Sequence, residues 1–321
     1  RAMVLAGDIT INATNGDIVI DAEAADENER IENTTSTNVG SPNPSTLNPA
    51  AIGHGGVNNN LDIVVLSNGE IVNGVAASSD ITAIAGGDML IRGGKGAESS
   101  FAQLGHGYSS DNGDDAARRF GLATGFAGDI NVSVTGNLTI KGGDNAWSQT
   151  PNALAQGFAR SVHGAFGAIG HGGYQLDAPS SGDITVYVGN DLSIRAQERT
   201  DPLTAQVDNP AVYTYQNPIS LAVSSVFNFA KIGHFSVENA NKQPANFGDI
   251  VGTASQTGNI TVVVNRDLMI AGGTTPDVDD QSIYGAFAQI GHGGPAIGGD
   301  LSGNISVLVK RNLDVIEGTE R

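Results

Sequence analysis

Gly128-Asp129-Ile130-Asn131-Val132-Ser133-Val134-Thr135-Gly136-Asn137-Leu138-Thr139-Ile140 carries aliphatic residues at every second position in two short runs joined by a two-residue link. Alternation of aliphatic with Asn, Ser or Thr is the period-two signature of strands with one buried face. The Gly-containing link bends the chain between them. The same sentence recurs at Asp183-Ile184 with Asp191-Leu192, at Asn259-Ile260 with Asp267-Leu268, and at Asn304-Ile305 with Asn312-Leu313. Earlier copies begin at Asp8-Ile9 with Asp17-Ile18 and at Asp80-Ile81 with Asp88-Met89. Repetition at this interval marks a repeat architecture, in which each unit buries its apolar face against the next.

A second motif lies between these pairs. Ile52-Gly53-His54, Leu104-Gly105-His106, Ile169-Gly170-His171, Ile232-Gly233-His234 and Ile290-Gly291-His292 place five of the six histidines in one context, spaced 52, 65, 63 and 58 residues apart. Four copies extend back to a phenylalanine, Phe101, Phe166, Phe229 and Phe287, with Pro49 in the first. The segment reads as a third strand. Three strands per repeat, with length varying only after the second strand and after the Gly-His strand, predict one triangular coil of a right-handed parallel β-helix, an all-β solenoid of about six coils. Two smaller coils per repeat are the alternative. Residues 1–321 form a single repeat segment in this reading.

Composition agrees with it. Glycine is plentiful at 44 residues while aromatics make up only 5%, which suits many turns and small or β-branched core residues. The net charge of −18 argues against nucleic acid and anionic membranes as partners, because both need a basic face. Without cysteine, a disulfide scaffold and a thiolate metal site are excluded. No apolar run approaches the ~20 residues of a membrane helix, so no membrane insertion is expected. Neither end of the sequence carries a signal peptide or a capping element, and both run into strand-like sequence. The expectation is a segment of a longer chain, continued covalently or self-associating into a fibre.

The Gly-Asp-Ile-Thr-Val and Gly-Asn-Leu-Thr-Ile runs resemble the β-helical shafts of filamentous-haemagglutinin-like bacterial surface exoproteins and adhesins. The resemblance covers the strand cores along the chain but not the loops, and Ile-Gly-His-Gly-Gly is not part of the family's general pattern. It implies export, an extracellular or cell-surface location, great length, and an adhesive or structural role, with surface glycans or neighbouring cells as partners.

The repeated polar residues are the candidate site. A catalytic histidine occurs once, whereas His54, His106, His171, His234 and His292 recur with the structural unit and read as a structural ladder. The residue three before each is Ala51, Gln103, Ala168, Lys231 or Gln289. Lys and Gln belong outside, which turns the aliphatic parity, and the histidines with it, inward. Stacked about 4.8 Å apart, the rings would bond one another or backbone carbonyls. A metal column is the sharper alternative, weakened by the lack of a second ligand at fixed spacing.

Two further columns open the strands: Asp8, Asp80, Asp129, Asp183, Asn259 and Asn304, then Asp17, Asp88, Asn137, Asp191, Asp267 and Asn312. Their short side chains suit turn hydrogen bonds to nearby backbone, with stacked amides where Asn occurs, and neighbouring carboxylates on successive coils would repel, which invites Ca²⁺ or mutual hydrogen bonding. Loop carboxylates Asp111, Asp114, Asp115, Asp277, Asp279 and Asp280 offer oxygen ligands to Ca²⁺, without matching the EF-hand or nonapeptide calcium spacing. No other cofactor is expected. The four phenylalanines have outward parity and should pack beneath the loops. Gly93-Gly94-Lys95-Gly96 lacks the context of a phosphate loop, and His163 and Trp147 lie in loop sequence. No nucleophile elbow or zinc-protease motif is present, so the chain does not read as an enzyme. A carbohydrate-active β-helix enzyme (lyase or hydrolase) and a Ca²⁺-binding surface-layer module are the rival functions.

Overall fold

The computed structural model describes residues 3–5, 7–22, 50–58, 64–65, 71–72, 75–94, 101–110, 125–143, 162–163, 165–174, 179–196, 225–226, 229–237, 255–273, 283–284, 286–294 and 299–318. Among them every regular element is a β-strand. Six of the seven sheets are purely parallel. The exception pairs Val64–Val65 with Ile71–Val72 antiparallel.

Two six-stranded sheets are built from the alternating runs. The first joins Ile9–Ala13, Ile81–Ala85, Ile130–Val134, Ile184–Val188, Ile260–Val264 and Ile305–Val309 in that order. The second joins Ile18–Asp21, Met89–Arg92, Leu138–Lys141, Leu192–Arg195, Leu268–Ala271 and Leu313–Ile316. Pairing is in register by repeat position: Ile130 lies beside Ile184, Val132 beside Val186, and Leu138 beside Leu192. Each aliphatic column therefore stays on one face from repeat to repeat. Ile130, Val134, Ile184, Val186, Val188, Ile260 and Val262 are fully buried. Each such side chain contributes about 1.5–3 kcal/mol relative to exposure.

The Gly-His segments form a third sheet of five strands, Ala50–Ile52, Ala102–Leu104, Gly167–Ile169, Ala230–Ile232 and Ala288–Ile290. Leu104, Ile169 and Ile232 join the same apolar core as the first two sheets.

The expectation of three strands per repeat is too low. The chain bends at Gly-His and starts again, giving a four-stranded sheet of Gly55–Asn58, Gly107–Ser110, Gly172–Tyr174 and Phe235–Val237. A further six-stranded sheet of Met3–Leu5, Val75–Ser78, Gly125–Ala127, Ser180–Ser181, Gln256–Thr257 and Leu301–Ser302 precedes the turns that open the first strands, which are Gly-Asp or Gly-Asn except for Ser79-Asp80. These strands run for two to four residues, too short for alternation to show in a sequence. A three-stranded sheet of Val162–His163, Ser225–Val226 and Ile283–Tyr284 also falls where loop was expected, and it places His163 in a strand.

Glycine is required where successive bends stack. Gly170 has φ +151°, and a Cβ there would fall on the carbonyl of Gly233 in the next repeat. Gly182, with φ +131°, sits in the same way on the carbonyl of Gly128. Only a residue without a side chain permits this approach.

Candidate functional site: the stacked polar columns

The bend that follows each Gly-His strand places the five imidazoles in one column. Ring centroids of His54, His106, His171, His234 and His292 are separated by 5.2, 4.7, 4.9 and 5.0 Å, with interplanar angles of 17°, 3°, 6° and 17°. The rings of His106, His171 and His234 are fully buried.

The rings do not bond one another. The backbone N–H of each histidine donates to Nδ1 of the next: His54 to His106 at 3.0 Å, His106 to His171 at 2.9 Å, His171 to His234 at 3.1 Å and His234 to His292 at 3.3 Å. An Nδ1 that accepts carries no proton, so in these four rings Nε2 is the protonated nitrogen. Nε2 then donates within its own repeat, across to the turn that opens the first strand: His106 to Ser79 O at 2.7 Å, His171 to Gly128 O at 2.8 Å, His234 to Gly182 O at 2.9 Å and His292 to Gly258 O at 2.7 Å. His54 Nε2 lies 2.9 Å from Gly7 O in the same relation. Each ring thus joins two corners of its own repeat, and His106, His171, His234 and His292 also tie their repeats to the one before.

Burial disfavours the charged imidazole and lowers the pKa of His106, His171, His234 and His292, with His234 brought down to about 4. For His171 the neighbouring His234 adds to the lowering, and for His234 and His292 Lys231 does so. In the same four rings the Nδ1 lone pair that a metal would need is taken by a backbone N–H. Among the described residues no three His, Asp or Glu side chains come together as a metal group. The loop residues Asp111, Asp114, Asp115, Asp277, Asp279 and Asp280, and Trp147, lie outside the described residues.

The Asp and Asn columns also bond between repeats, not within their own turns as expected. Oδ1 of each accepts the backbone N–H of its counterpart one repeat on. In the first column Asp8 accepts from Asp80 at 3.1 Å, Asp80 from Asp129 at 2.8 Å, Asp129 from Asp183 at 2.9 Å, Asp183 from Asn259 at 2.8 Å and Asn259 from Asn304 at 3.0 Å. In the second, Asp17 accepts from Asp88 and Asp88 from Asn137, both at 2.7 Å. Asn137 accepts from Asp191 at 3.3 Å, and Asp191 and Asp267 accept from Asp267 and Asn312, each at 3.1 Å. Where Asn follows Asp, its Nδ2 adds a second bond, as from Asn259 to Asp183 at 3.1 Å and from Asn312 to Asp267 at 3.0 Å.

The residues assigned to the outside by parity are a correction. Gln103 is 1% exposed and Lys231 is fully buried, because the central strands of the Gly-His sheet are buried on both faces, whereas Ala51 in the first strand is exposed as its parity predicts and Gln289 in the last is partly buried. Gln103 Nε2 donates to the carbonyls of Gly170 and Gly172, at 2.9 and 3.2 Å, in the bend of the next repeat. Lys231 Nζ uses the same reach, donating to Gly293 O and to Gln289 Oε1, the latter at 2.9 Å. Burial holds its pKa well below that of an ordinary lysine. Gln256, also fully buried, accepts from Gly293 N–H at 2.8 Å.

Phe101, Phe166 and Phe229 share this covered face. With Phe287 they stack at 5.0, 4.8 and 5.1 Å, and Phe235 packs edge-on against Phe166 and Phe229. They stand apart from the aliphatic core. Nothing in single-sequence alternation signals a face covered by the chain's own next strand. The one available hint was Phe at the same parity as Gln and Lys.

No protein-family model, no curated protein and no solved structure matches this chain.

Proposed function

We propose that the chain is a stretch of right-handed parallel β-helix and serves as the shaft of an extracellular, cell-surface filament, structural or adhesive in role and not enzymatic. The observation that carries this reading is the sameness of the columns. Each polar position repeats the same bond to the neighbouring repeat, from Asp8 through Asn304 and from His54 through His292. Chemistry of that kind builds length, since every unit offers the next unit the same surface.

Covalent continuation or self-association into a fibre belongs to the same proposal. Adhesion would then rest on the loops that vary between repeats, with surface glycans or neighbouring cells as targets and no bound cofactor.

Cryo-electron microscopy of the native material tests the proposal. Filaments with an axial rise near the ~4.8 Å strand spacing and right-handed coils are expected. Isolated compact particles, or left-handed coils, would overturn it.

A further inference from the structure

The histidine column holds the repeats together by bonds that exist only while its rings are neutral. We propose that it is an acid-operated latch: protonation of the column releases the Gly-His strands from one another and opens the repeats in a concerted step.

The argument starts from bond direction. In His106, His171, His234 and His292, Nδ1 faces a backbone N–H of the preceding repeat. A proton added at Nδ1 sets donor against donor, so the ring loses its bond to that repeat. Rotation cannot rescue it, because Nε2 is held by a carbonyl on the far corner and the rings are stacked at 4.7–5.2 Å. Each new imidazolium also faces another ring at that distance. One opened contact admits water to the next, which makes release spread along the column.

The charged groups facing the column are few. Asp80 acts on His106 and Asp183 on His234, both favouring the cation, while Lys231 opposes it at His234 and His292. Burial outweighs the carboxylates at each of these rings.

The sign follows from the direction of the shifts. A base whose folded pKa lies below its unfolded value of 6.5 binds protons more readily when released. Stability is complete above pH 6.5 and falls as the pH drops towards the folded values. In that window each ring raises the opening constant by up to about tenfold per pH unit. Between pH 6.5 and about 5 the ordinary carboxylate range has not been reached, so the effect belongs to imidazole.

The test uses the whole chain with nitrogen-15-labelled histidine. Two-bond proton–nitrogen correlation reads the tautomer, and urea unfolding is measured on the same samples from pH 7 to 5. The expected result is a single Nε2–H form in the four rings until the folded signals vanish together, with an unfolding constant that climbs steeply as the pH falls. Rings that become imidazolium near pH 6.5 in an intact fold would overturn the latch, as would an unfolding constant equal at pH 6.5 and 5. His171→Gln should lower the pH slope by one ring's share, and an unchanged slope would assign the effect elsewhere. The wild-type measurements decide the matter alone if this variant does not fold.

Discussion

The backbone N–H of His106 donates to Nδ1 of His171, 65 residues along the chain, at 2.9 Å. His171 Nε2 in turn donates to Gly128 O at 2.8 Å. One side chain thus satisfies a buried donor of one repeat and an acceptor of another. His171→Phe keeps a ring in the stack but strands both groups. It should cost about 2–6 kcal/mol, at roughly 1–3 kcal/mol per unsatisfied buried group. Urea unfolding against the wild type measures it, and a loss below about 1 kcal/mol would show that the two bonds contribute little.

Gly170 and Gly16 separate two uses of glycine. A Cβ at Gly170 meets the Gly233 carbonyl, whereas at Gly16 it meets nothing within 4 Å. Gly170→Ala should abolish soluble folded protein or lower stability by more than about 4 kcal/mol, the range reserved for a forced backbone clash. Gly16→Ala should stay within about 0.5 kcal/mol, as for an unconstrained surface site. Soluble yield and thermal melting of the pair check both.

Lys231 occupies a position where other repeats use Gln103 and Gln289. Burial depresses its folded pKa, so unfolding takes up a proton at pH values between the folded and unfolded pKa, and the wild type gains stability as the pH rises towards 10.5. Lys231→Gln removes that proton uptake and retains a donor for Gly293 O. It should raise stability at pH 7, where the wild type carries the cost of burying an amine whose charged form is disfavoured. The advantage should shrink as the pH approaches 10. Unfolding midpoints at pH 7 and 10 test this, and an advantage that grows with pH would refute it.

Asp129 accepts the N–H of Asp183 through Oδ1 at 2.9 Å, and Asn259 does the same for Asn304 at 3.0 Å. The bond needs an oxygen and not a charge. Asp129→Asn should therefore change stability by less than about 0.5 kcal/mol, while Asp129→Ala should cost about 0.5–1.5 kcal/mol. Equal losses in the two variants, measured by chemical denaturation, would place the effect in the carboxylate charge.

The first and second strands were legible in the sequence because their inward residues alternate over five or four positions with apolar residues in every copy, as in Ile130-Val132-Val134 and Leu138-Ile140. The histidines were legible as a set, by recurrence. Their bonds were not, since whether a ring bonds a ring, a carbonyl or an amide depends on which backbone group the neighbouring repeat brings opposite it. Asp129 misled for the same reason: its local turn chemistry is sound, but the nearest unpaired N–H is that of Asp183, 54 residues on.

Sequence alone determined the parallel repetition, the aliphatic columns and the glycine bends, because periodicity and the absence of a side chain are local properties of the chain. Tertiary structure decided that the central Gly-His strands are buried on both faces, that Gln103 and Lys231 are buried with their donors engaged, and that the column histidines with Nδ1 occupied carry their protons on Nε2. Those outcomes follow from the stacking of one repeat on another, where a side chain's surroundings are set by residues 50 to 70 positions away.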